Sequence, residues 1–140
     1  MRRSIAALVV SSLMLLASTG VSANLNQFTG KWENINAKTR GLTRLEITSA
    51  GTKVKVHAYG DCEPSDCDLG EVEGVAYAPS VESKLEATAK AIIVSYARGE
   101  RIMLIRSVEG NRLQAETFTR FTDNSGRAAY TAVYTFARSK

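Results

Sequence analysis

The chain has 140 residues, with 18 lysines and arginines against 14 acids and 44% hydrophobic residues. That length allows one domain with a real core and excludes a multidomain enzyme. The modest positive charge comes without a basic cluster or an aromatic stripe among the cations, so nucleic acid is not an expected partner.

The first residues, MRRSIAALVVSSLMLLASTGVSA, place two arginines before an apolar run and end on the small residues Val21, Ser22 and Ala23. This is the pattern of a secretory signal peptide cleaved after Ala23. The run is shorter than the ~20 apolar residues a bilayer-spanning helix needs. No cysteine follows it to carry a lipid. Residues 1–23 are therefore read as a signal peptide and residues 24–140 as the single mature domain, secreted or periplasmic, with no membrane insertion after cleavage. Arg2 and Arg3 leave with the signal, so sixteen basic residues face fourteen acids and the mature net charge is +2.

From residue 24 onward, glycine and proline punctuate short stretches rich in β-branched and aromatic residues, a strand pattern. The expected strands are 28–35, 42–49, 53–60, 69–78, 90–97, 101–109, 112–121 and 128–138. Short turn-formers, SAG at 49–51, ARGE at 97–100, EGN at 109–111 and DNSGR at 123–127, suit hairpins between sequential antiparallel strands. Residues 79–90 form a longer connection that could hold a helical turn, because Val81, Leu85 and Thr88 share a helical face, or act as a lid over one barrel mouth. The fold class expected is all-β: an eight-stranded antiparallel up-and-down meander barrel.

Between the third and fourth strands lies AYGDCEPSDCDLG, residues 58–70, with the chain's two cysteines. Cys62 and Cys67 are five apart, not at the spacing of a thioredoxin-like redox pair, and an exported chain meets oxidising conditions. A disulfide pinning a small acidic loop is expected. Zinc held by His57, Cys62 and Cys67 would lose two ligands to that bond. Calcium held by Asp61, Glu63, Asp66 and Asp68 fails the EF-hand pattern, because the position that needs glutamate falls on Tyr77. No metal and no cofactor is expected.

Alternation separates inside from outside. Leu45 and Ile47 oppose Arg44 and Glu46; Val54, Val56 and Ala58 oppose Lys53, Lys55, His57 and Tyr59. AIIVSYA and IMLI, on the fifth and sixth strands, are apolar on both faces. A second covering surface is therefore expected there, either residues 79–90 or another copy of the chain, and a homo-oligomer through strands 90–109 is the expectation.

Eight meander strands with Gly-x-Trp on the first resemble the calycin barrels: lipocalins, fatty-acid-binding proteins and avidins. FTGKWEN at 28–34 is most similar to the first strand of the avidins, although one tryptophan cannot supply their biotin pocket. The lipocalin resemblance implies that Arg138, on the last strand, covers Trp32 at the closed barrel end. TRGLTRLEI, VHAYGDCEPSDCDLG and SGRAAY resemble an uncharacterised exported bacterial barrel domain, which implies the fold and no activity.

No nucleophile elbow or nucleophile–base pair stands out, and the lone His57 falls on the charged side of its strand, so an enzyme is not expected. Arg106 shares parity with Ile102 and Leu104; if that face lines the lumen, its guanidinium needs an anion. The expected ligand-binding lumen comprises Trp32, Arg106, Tyr134 and Phe136. The expected function is an exported, non-enzymatic barrel that binds a small, mostly apolar ligand. The alternative is a cell-envelope interaction or inhibitor module with a side-chain-filled barrel, acting through the pinned loop 61–68.

Intact mass spectrometry of the exported protein should give a chain beginning at Asn24 with neither cysteine alkylated before reduction. Two alkylated thiols in the absence of reductant would reject the disulfide.

Overall fold

The computed structural model describes residues 24–140; the signal-peptide expectation lies outside the described residues. A 3-10 turn, Leu25–Gln27, leads into eight strands: β1 (Gly30–Asn34), β2 (Leu42–Ala50), β3 (Lys53–Gly60), β4 (Cys67–Tyr77), β5 (Ala91–Tyr96), β6 (Arg101–Val108), β7 (Arg112–Thr119) and β8 (Tyr130–Arg138). They form a closed antiparallel barrel in sequence order. Closure comes from β1 pairing with β8, in the register Trp32 to Arg138, Glu33 to Ala137 and Asn34 to Phe136. All eight expected strands are present, with ends displaced by at most two residues.

The alternating pattern explains the core. Leu45, Ile47, Val54, Val56, Ala58, Ile92, Val94, Met103, Ile105, Leu113, Ala115 and Phe136 point inward and are fully buried. Their outward neighbours on β2, β3 and β7 are largely polar, so each strand can bury one face without stranding a charge. In β6 both faces are apolar, and pairing with β7 decides between them. Met103 sits opposite Thr117 and Ile105 opposite Ala115, whereas Leu104 sits opposite Glu116 and Arg106 opposite Gln114. The face bearing Ile102, Leu104 and Arg106 is therefore the outer one. This corrects the expectation for Arg106, which is exposed on the outer wall and does not reach the lumen.

One end of the barrel is sealed. The Trp32 indole donates to the Phe28 carbonyl at 2.8 Å. Above the ring, 4.2 Å from its centroid, lies the Arg138 guanidinium, which also donates to the carbonyls of Thr29 and Gln27. Residues 79–90 contain one helical turn, α1 (Leu85–Thr88). It packs on the 3-10 turn at this end, with Ala89 buried and its carbonyl accepting from the Gln27 amide at 3.2 Å. The outer wall of β5 and β6 thus stays uncovered by this segment: Ile102 is 42% exposed and Phe118, beside it on β7, 45%.

The other end is open. The connections 35–41, 61–66, 97–100 and 120–129 all gather there, and the last is a longer loop than the hairpin expected at 123–127. The wall also parts on this side, because β4 pairs with β5 only over Val75–Tyr77, while its remaining length, Cys67–Gly74, pairs with β3 alone. At the point of parting Gly74 leaves room for β5: a Cβ there would lie 2.7 Å from Val94 Cγ1 and 3.3 Å from the Ile93 carbonyl oxygen.

Gly74→Ala should lower stability by ~1–3 kcal/mol, the usual penalty for overpacking a filled core. Urea denaturation checks this, and an unchanged midpoint would show that β4 and β5 have slack.

Candidate functional site

The loops at the open end surround a cavity of about 570 Å³. The β1–β2 connection contributes Lys38, Thr39, Arg40 and Gly41 to its wall, and the start of β2 contributes Leu42. Across the mouth stand Gly60, Asp61 and the Cys62–Cys67 disulfide, with Leu69 of β4 behind it. Arg101 of β6, Thr117 of β7, and Tyr130 and Tyr134 of β8 complete the lining. Thr117 is buried and lies deep in the cavity. The next inward residues of β6 and β7, Ile105, Ala115 and Leu113, are fully buried and do not reach it. Roughly, the lower barrel is a packed core and the upper barrel a cup.

Local sequence accounts for the cup's shape. The glycine at 41 is required because a Cβ there would fall 2.2 Å from the Tyr134 hydroxyl. The tyrosine ring therefore leans over bare backbone and keeps its hydroxyl at the cavity. The disulfide joins backbones whose Cα atoms lie 5.4 Å apart. Asp61 N–H donates to the Gly41 carbonyl at 2.8 Å, which ties the pinned loop to the β1–β2 connection across the mouth.

Of the expected lumen residues, Tyr134 lines the cavity. Trp32 and Phe136 are 1% and 0% exposed in the core near the sealed end, where a ligand in the cup would not touch them. Arg106 lies on the outside, and the cation on the inner face of β6 is Arg101. Arg101 is half-buried, and its Nε donates to Thr119 Oγ1 at 3.3 Å. The signal for Arg101 existed in the chain. Arg112, Gln114 and Glu116 mark the wet face of β7, and the tight turn after Val108 then sets Arg101 opposite inward-facing Thr119.

Beside the cup a smaller space of about 340 Å³ opens under the β7–β8 loop, sharing Leu69 and Arg101 with it. Its wall is ordered by Arg127, which lies 3.7 Å from the Phe121 ring centroid and donates to Asp123 at 2.6 Å. Hydrogen bonds from Ser125, then Arg127, hold the Asp123 carboxyl down to about 2. Tyr96 closes the base of this space and donates its hydroxyl to the Val56 carbonyl at 2.8 Å. Burial, then the charge of Glu71, pushes its phenol up, so it stays a neutral donor.

The chain's histidine lies on the outer wall of β3. Arg44 sits 3.9 Å from the Tyr59 ring centroid, Tyr59 stacks on His57 at 4.5 Å, and His57 Nε2 meets Asp68 Oδ1 at 2.6 Å. This ladder braces β2, β3 and β4 beneath the disulfide loop. Among the described residues no cluster of three or more metal-ligating side chains occurs, and no helix is long and apolar enough to cross a membrane.

No protein-family model matches the sequence, and no curated protein matches it. The site must therefore be read from its own chemistry.

The hydrogen bonds from His57 and from the Gly70 N–H hold the Asp68 carboxyl below the usual aspartate range. A depressed carboxyl contributes stability above its unfolded value and loses it as pH falls through the folded one. Carboxyl NMR titration should therefore place Asp68 below a free aspartate and show it rising in His57→Gln. An unmoved titration would mean that the contact carries no weight in solution.

Proposed function

We propose that the protein is an exported, non-enzymatic binding barrel of calycin-like type that takes a small, largely apolar molecule into its open end. The observation that carries this is the cup of about 570 Å³, within the usual range of ~300–1,000 Å³ for small-molecule pockets. Leu42, Leu69 and the rings of Tyr130 and Tyr134 supply apolar walls, while Thr117 and the tyrosine hydroxyls supply orienting hydrogen bonds. The cup's lining carries a single carboxylate, Asp61, among lysine, arginine, threonine and tyrosine, and the histidine is engaged with Asp68 on the outer wall, a set of groups that suits recognition better than acid–base chemistry. Export rests on the N-terminal pattern and on the disulfide, a bond favoured in oxidising compartments.

A second reading is an envelope interaction module, favoured by the filled lower barrel and by the outer wall. Val75, Ile102, Phe118 and Val133 are each 42–58% exposed there, and a groove of about 550 Å³ runs past Ile102, Phe118 and Tyr130. On this reading the partner is a second copy of the chain. Arg106 and Glu116 project from the same wall on adjacent strands, which lets a two-fold axis pair each with its opposite on the other copy.

Native mass spectrometry of the purified protein discriminates the two. A co-purifying small mass supports the cup as a ligand site, and a dimer without added mass supports the interaction module. A bare monomer counts against both.

A further inference from the structure

The charges around the cup are unbalanced. Lys38, Arg40 and Arg101 line it, against the single carboxylate of Asp61. Among the described residues none of the three cations has a carboxylate within ion-pair distance. The acid next to Arg101 in sequence, Glu100, accepts instead from the Thr122 hydroxyl. Arg101 is the most constrained of the cations. It rises from a strand rather than a loop, it is half-buried, and it lines both spaces at the open end. Its Nε is taken by Thr119, which fixes the guanidinium plane and leaves the two Nη groups for another partner.

A guanidinium half withdrawn from water without a counter-charge is a favourable partner for an arriving anion, which meets it with less screening than in bulk solvent. The planar fork matches a carboxylate, sulfonate or phosphate through paired charge-assisted hydrogen bonds. Lys38 and Arg40, at the rim, add attraction for the approaching charge. Resting on the cup being a ligand site, we infer that its ligand is a compact organic anion. The oxyanion is held by Arg101, and the apolar body lies against Leu42, Leu69 and Tyr134. The packed core below Thr117 limits the body to a short one, because a long chain would have nowhere to extend.

Two fluorescent probes with nearly the same rings test this: anilinonaphthalene sulfonate and its uncharged parent, N-phenylnaphthylamine. The sulfonate should bind about tenfold more tightly, the scale expected for a hydrogen-bonded charge pair. Arg101→Gln should remove that preference, Arg101→Lys should keep part of it, and Arg106→Gln, on the outer wall, should leave it intact. Thermal melts of each variant confirm folding. Equal binding of both probes overturns the anion assignment and leaves the cup standing as a site. A preference that survives Arg101→Gln but falls in Arg106→Gln moves the anion to the outer wall and also overturns it. Binding of neither probe overturns the ligand site itself.

Discussion

The structure depends on the bond between its first and last strands. β1 is five residues long and meets β8 over three register pairs, a short seam for closing eight strands. Arg138 reinforces it by covering Trp32 and reaching the carbonyls of Gln27 and Thr29. Those carbonyls belong to the segment that enters β1, so one side chain joins the last strand to the approach to the first. An open sheet would leave both edges unpaired and half the core in water.

With that end sealed, the distribution of side-chain volume divides the barrel. Phe28, Trp32, Phe136 and the aliphatic residues around them fill the lower half completely. Above them the inward positions carry Arg101, Thr117, Thr119 and Tyr130, which are polar or amphipathic. Thr117 donates to the Ala132 carbonyl and Thr119 accepts from the Arg101 Nε, while the Arg101 Nη groups and the Tyr130 hydroxyl favour water or a ligand at the mouth, because packing them dry would leave them unpaired. The parting of β4 from β5 and the absence of a side chain at Gly41 widen the same end. Core, cup and rim thus arise from one gradient in residue type along the barrel axis.

The rim is held by cross-links rather than by core. The disulfide, the Asp61–Gly41 backbone bond and the His57–Asp68 contact each tie neighbouring segments near the mouth. Their combined effect is to keep the β1–β2 and β3–β4 connections facing one another with few buried apolar groups between them. Stable scaffold and exposed, polar-lined loops are the usual division of labour in binding proteins.

Much of the fold was legible in the chain. Turn residues at short intervals marked eight strands, period-two alternation on β2 and β3 told inside from outside, and the spacing of Cys62 and Cys67 in an export context pointed to a disulfide. The Gly-x-Trp of β1 indicated the sealed end only through its resemblance to the calycin first strand. These signals are local, since each depends on a residue and its near neighbours. The site was less legible. Ile102 to Ile105 are apolar on both parities, so β6 alone could not say whether Arg101 or Arg106 pointed inward, and only pairing with the polar face of β7 decided it. The depth of the cup, the parting of β4 and β5 and the uncovered outer wall were likewise set by tertiary packing. Each is a matter of how volumes from distant strands add up in a closed space, and no local pattern carries that sum.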